Sequence, residues 1–236
     1  MQSASSRSEF VQGLTDIIPV IVAACPIALL WGTLAVGKGL STLEAGLMSA
    51  AVFAGAAQFV AIELWSDPAP WLFLTVAVFI VNIRHVLMGA SLARHMGDIP
   101  SGWRAPIMFL MADENWAFCE RRALKQPLTL GYYLGLGLPM IVVWVSCTII
   151  GALAGQLLGD PKAYGFDFAM AAMFIAILAG FWKGPRTAAV LATSAAVAAG
   201  VKIAIGGAWF IVLGGLAGAG VAALLHAETE EEVPAT

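Results

Sequence analysis

FLTVAVFIVNIRHVLMGASLARHMGDIPSGWRAPIMFLMADENWAFCE, residues 73–120, decides how the rest of the chain is read. It opens as an apolar run from Phe73 to Val81, then places Asn82, Arg84 and His85 in the same helix. It closes in an amphipathic segment, Ala105 to Cys119, with Asp113, Glu114 and Asn115 at its centre. The surrounding chain is 60% hydrophobic and only 11% charged, against about 25% charged in soluble domains. That excludes an ordinary soluble domain. In a bilayer an ionisable side chain costs roughly 2.5 kcal/mol or more at the centre, so each one inside a span marks a functional site.

No polar linker divides the 236 residues, which therefore read as one all-α integral membrane domain spanning 1–236. Net charge is -3, and no basic stripe points to nucleic acid. Cys25, Cys119 and Cys147 are far apart in sequence without a CxxC pair, so inert buried thiols are expected. Val22-Ala23-Ala24-Cys25 looks like a lipoprotein cleavage box. Arg7 is offset by Glu9 and Asp16, however, and hydrophobicity continues past Cys25, so the segment is expected to be retained.

About 20 apolar residues cross a hydrocarbon core of roughly 30 Å. After a polar lead-in (1–15), such runs are Ile17–Val36, Leu43–Leu64, Trp71–Ser91, Leu130–Leu158, Phe168–Trp182, Thr187–Ile205 and Trp209–Leu225. The sequence thus predicts about seven transmembrane helices plus one amphipathic or re-entrant segment, Ala105 to Cys119. Arg94, Arg104, Arg121, Arg122 and Lys125 bracket that segment, which should return to the side it left, the cytoplasm. Seven spans put the N-terminus outside and the C-terminus, with its acidic tail 226–236, inside. A rival layout makes Leu43–Leu64 re-entrant and puts the N-terminus inside; charge counting does not separate the two. The tail from Glu228 to Glu232 reads as a solvated, disordered end.

The two halves echo each other. Pro26 and Trp31 in the first span match Pro139 and Trp144 in the fourth, each pair followed by a glycine-rich exit. After each exit comes a small-residue helix with a phenylalanine, Phe53-Ala54-Gly55 and Phe174-Ile175-Ala176. An inverted three-helix repeat with broken helices and a midplane site would be a transporter signature. Gly151 and Gly155 form a GxxxG pattern suited to close helix approach. Trp31, Trp65, Trp71 and Trp209 fall near span ends, where interfacial anchors belong.

Asn82, Arg84 and His85 lie within one helical turn and cannot all face lipid. Arg84 can snorkel to the interface, pair with a carboxylate, or meet a substrate carboxylate. His85 can carry a proton at physiological pH or be a hydrogen-bonded structural residue. Asp113 and Glu114 are the obvious acidic partners; they point about 100° apart, so one of them should face the interior. Gln58 serves either an interhelical hydrogen bond or a substrate contact. Asp167 sits near a helix start, where a carboxylate is favoured as a cap. Catalytic signatures are missing: Gly89-Ala90-Ser91-Leu92 lacks the final glycine of a nucleophile turn. His85, His95 and His226 have no metal spacing, and there is no phosphate loop. Neither an enzyme nor a cofactor is indicated.

Four stretches resemble the AzlC family, the large subunit of bacterial branched-chain amino-acid exporters. They are Phe53-Ala54-Gly55-Ala56-Ala57-Gln58-Phe59, Asn82-Ile83-Arg84-His85 with Gly89-Ala90-Ser91-Leu92, Asp113-Glu114, and Gly165-Phe166-Asp167-Phe168-Ala169-Met170. The resemblance covers about residues 10–225. It implies a secondary exporter of branched-chain amino acids, often also methionine, in the bacterial inner membrane, working with a small hydrophobic AzlD-type subunit. Two departures stand out. Phe166 precedes Asp167 where the family has leucine, and Ala112 stands where a threonine is common.

The sequence therefore favours a proton-coupled permease whose substrate-binding or coupling residues are Phe53, Gln58, Asn82, Arg84, His85, Asp113, Glu114 and Asp167. A non-transporting membrane scaffold or assembly subunit is the competing reading.

Overall fold

The computed structural model describes residues 6–158, 184–205 and 209–231, together with Ile175, Ala179 and Trp182. Every regular element among them is a helix. The first, α1, runs from Ser6 to Gly37, and α8 from Leu130 to Leu158. They pack along their whole length because glycines remove the side chains between them. A Cβ added at Gly135 would lie 2.2 Å from the Phe10 carbonyl oxygen, and one at Gly13 would lie 2.4 Å from that of Tyr132. At Gly32 and Gly151 the corresponding approaches are 2.1 Å to Thr148 and 2.0 Å to Leu29. The start of α1 thus meets the start of α8 and the end meets the end. The two helices are parallel.

Parallel helices must be joined by chain that makes a net single crossing. That crossing is α4 (Trp71–Asn82) and α5 (Arg84–Ala93), joined at Ile83 by tighter i to i−3 bonds from Ile83 N–H to Ile80 and Val86 N–H to Ile83. Trp71–Ala93 together is long and apolar enough to cross, as are Ser6–Gly37, Leu130–Leu157 and Pro185–Ala204; Leu213–Leu225 is a shorter apolar helix.

Residues 42–63, expected to cross, instead form a hairpin of α2 (Thr42–Ala51) and α3 (Gly55–Glu63). Going down α8, Gln156 donates to Thr42 at 3.0 Å, the Thr148 and Ser49 hydroxyls are 2.9 Å apart, and Trp144 donates to Gln58 at 2.9 Å. Helix α2 therefore descends against α8. Helix α3 climbs back, since Phe59 and Ile62 pack with Leu40, Ala45 and Ala152 at the end where α2 began. Apolar length alone suggested a span. The extended backbone at Val52 and Ala54 breaks it, with φ of -118° and -148°. A Cβ at Gly55 would lie 2.9 Å from the Trp144 ring, so glycine lets the tip press against α8.

The amphipathic segment is a second broken hairpin, entering from the opposite end and returning there as expected. It consists of α6 (Ser101–Met108) and α7 (Asp113–Ala123). Arg104 anchors its base by donating to the carbonyls of Ile99 at 2.9 Å and Gly97 at 3.2 Å. The far end of α7 reaches the starts of α1 and α8, where Arg122 pairs with Glu9 and donates to Gln12 at 2.9 Å and Pro127 at 3.2 Å. Thr129 also donates to Glu9 at 2.9 Å, and the Arg122 guanidinium lies 4.0 Å over the Tyr132 ring.

Other expectations change as well. Helix α1 starts at Ser6, so most of the polar lead-in is helical and Glu9 is buried. Trp31 is fully buried against Ala35, Phe59 and Ala152 rather than anchored at an interface. The parallel arrangement of α1 and α8 overturns the inverted orientation of the Pro–Trp echo. At the other end Ser41 and Glu44 form a capping box at α2, and the Ser41 backbone N–H, then its hydroxyl, hold the Glu44 carboxyl below the usual range. Helices α9 (Pro185–Ala204) and α10 (Trp209–Glu231) form an antiparallel pair, Gly214 meeting Ser194 and Ala198, and Gly218 meeting Val190. Because α10 continues to Glu231, the acidic run as far as Glu231 sits on a helix and not in a disordered end, while Glu232 lies outside the described residues. The expected span 168–182 lies almost wholly outside the described residues, as does Phe174 of the echo.

Two outcomes test this architecture. Gly151→Ala should lower the thermal midpoint, with overpacking of about 1–3 kcal/mol or more, whereas Gly102→Ala, which meets no atom within 4 Å, should not. Equal midpoints would contradict the close contact. Cysteines introduced singly at Lys38 and Ser66 should react with an impermeant maleimide from one side of the membrane, and one at Gly102 from the other. Labelling of Lys38 and Ser66 positions from opposite sides would restore the span.

Candidate functional site

The tips of the two hairpins meet midway along α1 and α8. Between them is a cavity of about 520 Å³ lined by Ala24 and Ile27 of α1, Phe53 to Ala56 and Phe59 of the first hairpin, and Arg84 and His85 of α5. Ala112, Asp113, Glu114 and Ala117 of the second hairpin and Met140 and Trp144 of α8 complete it. That size suits a small solute. The wall is apolar except on one side, where all of the charge is gathered.

Arg84 Nη1 contacts Asp113 Oδ2 at 2.9 Å, with 39% and 48% of the two side chains still open. Arg84 Nε is buried without a partner. The pair therefore neutralises net charge while leaving donors on the guanidinium unused. His85 Nδ1 lies 3.2 Å from the Asn82 carbonyl. A carbonyl only accepts, so Nδ1 carries the hydrogen, and in the neutral ring Nε2 is the acceptor. Neither α3 nor α7 has a side-chain cap, because the residues at their N-caps are Ala54 and Ala112. Both helices thus begin at the cavity without a capping side chain at the N-cap, and in α7 the Glu114 carboxylate takes up its own backbone N–H. Asp113 and Glu114 occupy the first turn of α7, where the helix dipole favours a carboxylate.

The residues singled out from the sequence separate into two groups. Phe53, Arg84, His85, Asp113 and Glu114 all line the cavity. Both acids do so, where one was expected. Gln58 is fully buried behind the wall, donating to Ser49 at 2.9 Å and accepting from Trp144 at 2.9 Å. It holds Trp144 in place and does not reach the cavity. Asn82 is set back too, its Oδ1 buried without a partner. Asp167 lies outside the described residues.

Sequence reasoning passed over Met140, Trp144, Ala24 and Ile27, which are apolar and carried no signal as lining. It also passed over Glu9, whose buried pairing with Arg122 depends on residues 113 positions apart. One cluster tests the enzyme reading. Ser91 donates to Glu120 at 2.5 Å, Arg94 reaches Ser91 at 3.2 Å, and His95 lies 3.6 Å from the other Glu120 oxygen. The Glu120 carboxylate, and not His95, accepts the Ser91 hydrogen, so Ser91 and His95 do not form a serine–histidine dyad. This cluster ties α5 to α7.

Two opposed broken hairpins whose tips enclose a cavity, inside a frame of long apolar helices, define a polytopic helical membrane protein. Residues 19–158 match the AzlC protein family, and the chain belongs to that family. It is 32% identical over 202 residues to an uncharacterized membrane protein of Archaeoglobus fulgidus, covering 83% of this chain and 86% of the relative. It is 26% identical over 208 residues to inner membrane protein YgaZ of Escherichia coli K12, covering 86% and 85%. It is also 26% identical over 219 residues to the branched-chain amino acid transport protein AzlC of Bacillus subtilis, covering 91% and 84%. No solved structure matches. The family suggests membrane transport.

Removing one partner of the buried Glu9–Arg122 pair should destabilise by about 3–5 kcal/mol, and replacing both with apolar residues by much less. Thermal midpoints of Arg122→Met and of Glu9→Leu with Arg122→Met provide the comparison. Trp144→Phe strands the Gln58 Oε1 and should cost about 1–3 kcal/mol; an unchanged midpoint would show that the Gln58 bond is dispensable.

Proposed function

We propose that this chain is the large subunit of a secondary-active exporter for branched-chain amino acids and methionine in the bacterial inner membrane. The observation that carries the reading is the cavity at the hairpin tips, with the Arg84–Asp113 pair on one side and Phe53, Met140 and Trp144 opposite. A zwitterion with an apolar side chain fits that division. Its carboxylate takes the unused donors of Arg84 and the open N-terminus of α3. Its ammonium group faces Asp113 and Glu114. The aliphatic side chain rests on the apolar wall, which offers no hydrogen-bonding partner to a polar one.

Proton coupling follows from the same charges. Asp113 cannot hold Arg84 and a substrate ammonium equally well in both protonation states, and His85 lines the same cavity. The end carrying Arg7, Arg94, Arg104, Arg121, Arg122 and Lys125 is assigned to the cytoplasm, against Lys38 and Lys202 at the other end. The N-terminus is then cytoplasmic, the reverse of the seven-span layout. With Arg186 at the start of α9 on the cytoplasmic side, the antiparallel α9–α10 pair returns the C-terminus there. A small AzlD-type subunit completes the exporter.

In loaded vesicles, efflux of leucine, valine and methionine should depend on this chain and collapse when the proton gradient is dissipated. Arg84→Ala and Asp113→Asn should each lower efflux at least tenfold with normal membrane insertion. Efflux unaffected by the gradient would remove the coupling. Normal efflux by both variants would make the pair structural and return the scaffold reading.

A further inference from the structure

Gly151 of α8 lies directly against the backbone of Leu29 in α1, where an added Cβ would meet the Leu29 carbonyl oxygen at 2.0 Å. One turn earlier on the same face of each helix stand Cys25, four residues before Leu29, and Cys147, four before Gly151. In a parallel pair, stepping back one turn on both helices keeps the partners level. In an antiparallel pair the same step would carry them apart. The two thiols are neighbours: Cys147 packs against the cluster that holds Ala28, three residues from Cys25 on α1, and interacts with the Cys25 thiol. Both are partly accessible, unlike the fully buried Cys119. Beside them, Ala24 and Ile27 line the cavity from α1 and Trp144 lines it from α8.

We propose that Cys25 and Cys147 form a modification site, a dithiol that a peroxide converts to a disulfide joining α1 to α8 next to the cavity. In the first step one cysteine sulfur, as thiolate, attacks the peroxide and breaks the O–O bond, giving a sulfenic acid, and the departing hydroxide takes up the released proton as water. The second thiol then attacks the sulfenic sulfur, the S–S bond forms, and the hydroxyl leaves as a second water. Two thiols are oxidised by two electrons and one peroxide is reduced to two waters. A disulfide needs Cα atoms about 4.4–6.8 Å apart, and a glycine contact one turn away holds the two backbones near that range. The link would staple two walls of the cavity together, and a thiol reductant would release them.

Peroxide treatment of the full chain in native membranes, followed by non-reducing digestion and mass spectrometry, tests the proposal without reference to any transported solute. The 25–147 linked peptide should account for most of the lost thiol, disappear on reduction, and persist in Cys119→Ser. Cys25→Ser and Cys147→Ser should each abolish it while keeping the wild-type thermal midpoint. Three results would overturn the site: oxidation of the two cysteines singly, linkage only between separate copies, or retention of both thiols under peroxide.

Discussion

The fold depends on glycine at the contact between α1 and α8. A single Cβ at Gly13, Gly32, Gly135 or Gly151 would fall within 2.4 Å of a facing carbonyl oxygen, so these helices meet backbone to backbone. Small-residue contacts of this kind drive helix association where lipid removes the hydrophobic driving force. Because the contact is parallel, the connection between the helices is constrained to one net crossing. Two further apolar segments in that connection are left to enter from opposite ends and turn back. Their turning points meet in the middle because neither hairpin is long enough to cross.

Breaking a helix at that depth exposes backbone groups that lipid cannot satisfy, and such breaks survive only against protein or a wet cavity. Both breaks obey that condition. The first packs on Trp144, itself fixed by Gln58, Ser49 and Thr148, and the second is braced by Asn115 donating to the Leu110 carbonyl at 2.7 Å. The site is thus framed by hydrogen-bonded side chains, while Arg84 and Asp113 remain partly open inside it. A charge pair with spare donors beside an apolar wall is the feature on which the proposed zwitterion reading rests.

Much of this was legible in the sequence. Arg84, His85, Asp113 and Glu114 were conspicuous because charge inside an apolar run is expensive, and all four reach the cavity. GxxxG spacing around Gly151 correctly pointed to close packing. The re-entrant course of residues 42–63 was not legible, since a hydropathy window cannot distinguish one long helix from two short ones joined at Val52–Ala54. Helix direction was hidden for a related reason: Pro26–Trp31 and Pro139–Trp144 look alike whether parallel or inverted. Gln58 misled, because a polar residue in a span is equally compatible with a ligand and with holding a neighbouring tryptophan.

The account stands or falls on whether the cavity at the hairpin tips recognises an amino acid through Arg84. Thermal stabilisation of the purified chain across the twenty amino acids, for the native protein and for Arg84→Ala, measures that directly. Leucine, isoleucine, valine and methionine should raise the native midpoint, charged amino acids should not, and the shifts should vanish in the variant. Equal stabilisation of both proteins by these ligands, or none by any of the twenty, would contradict it.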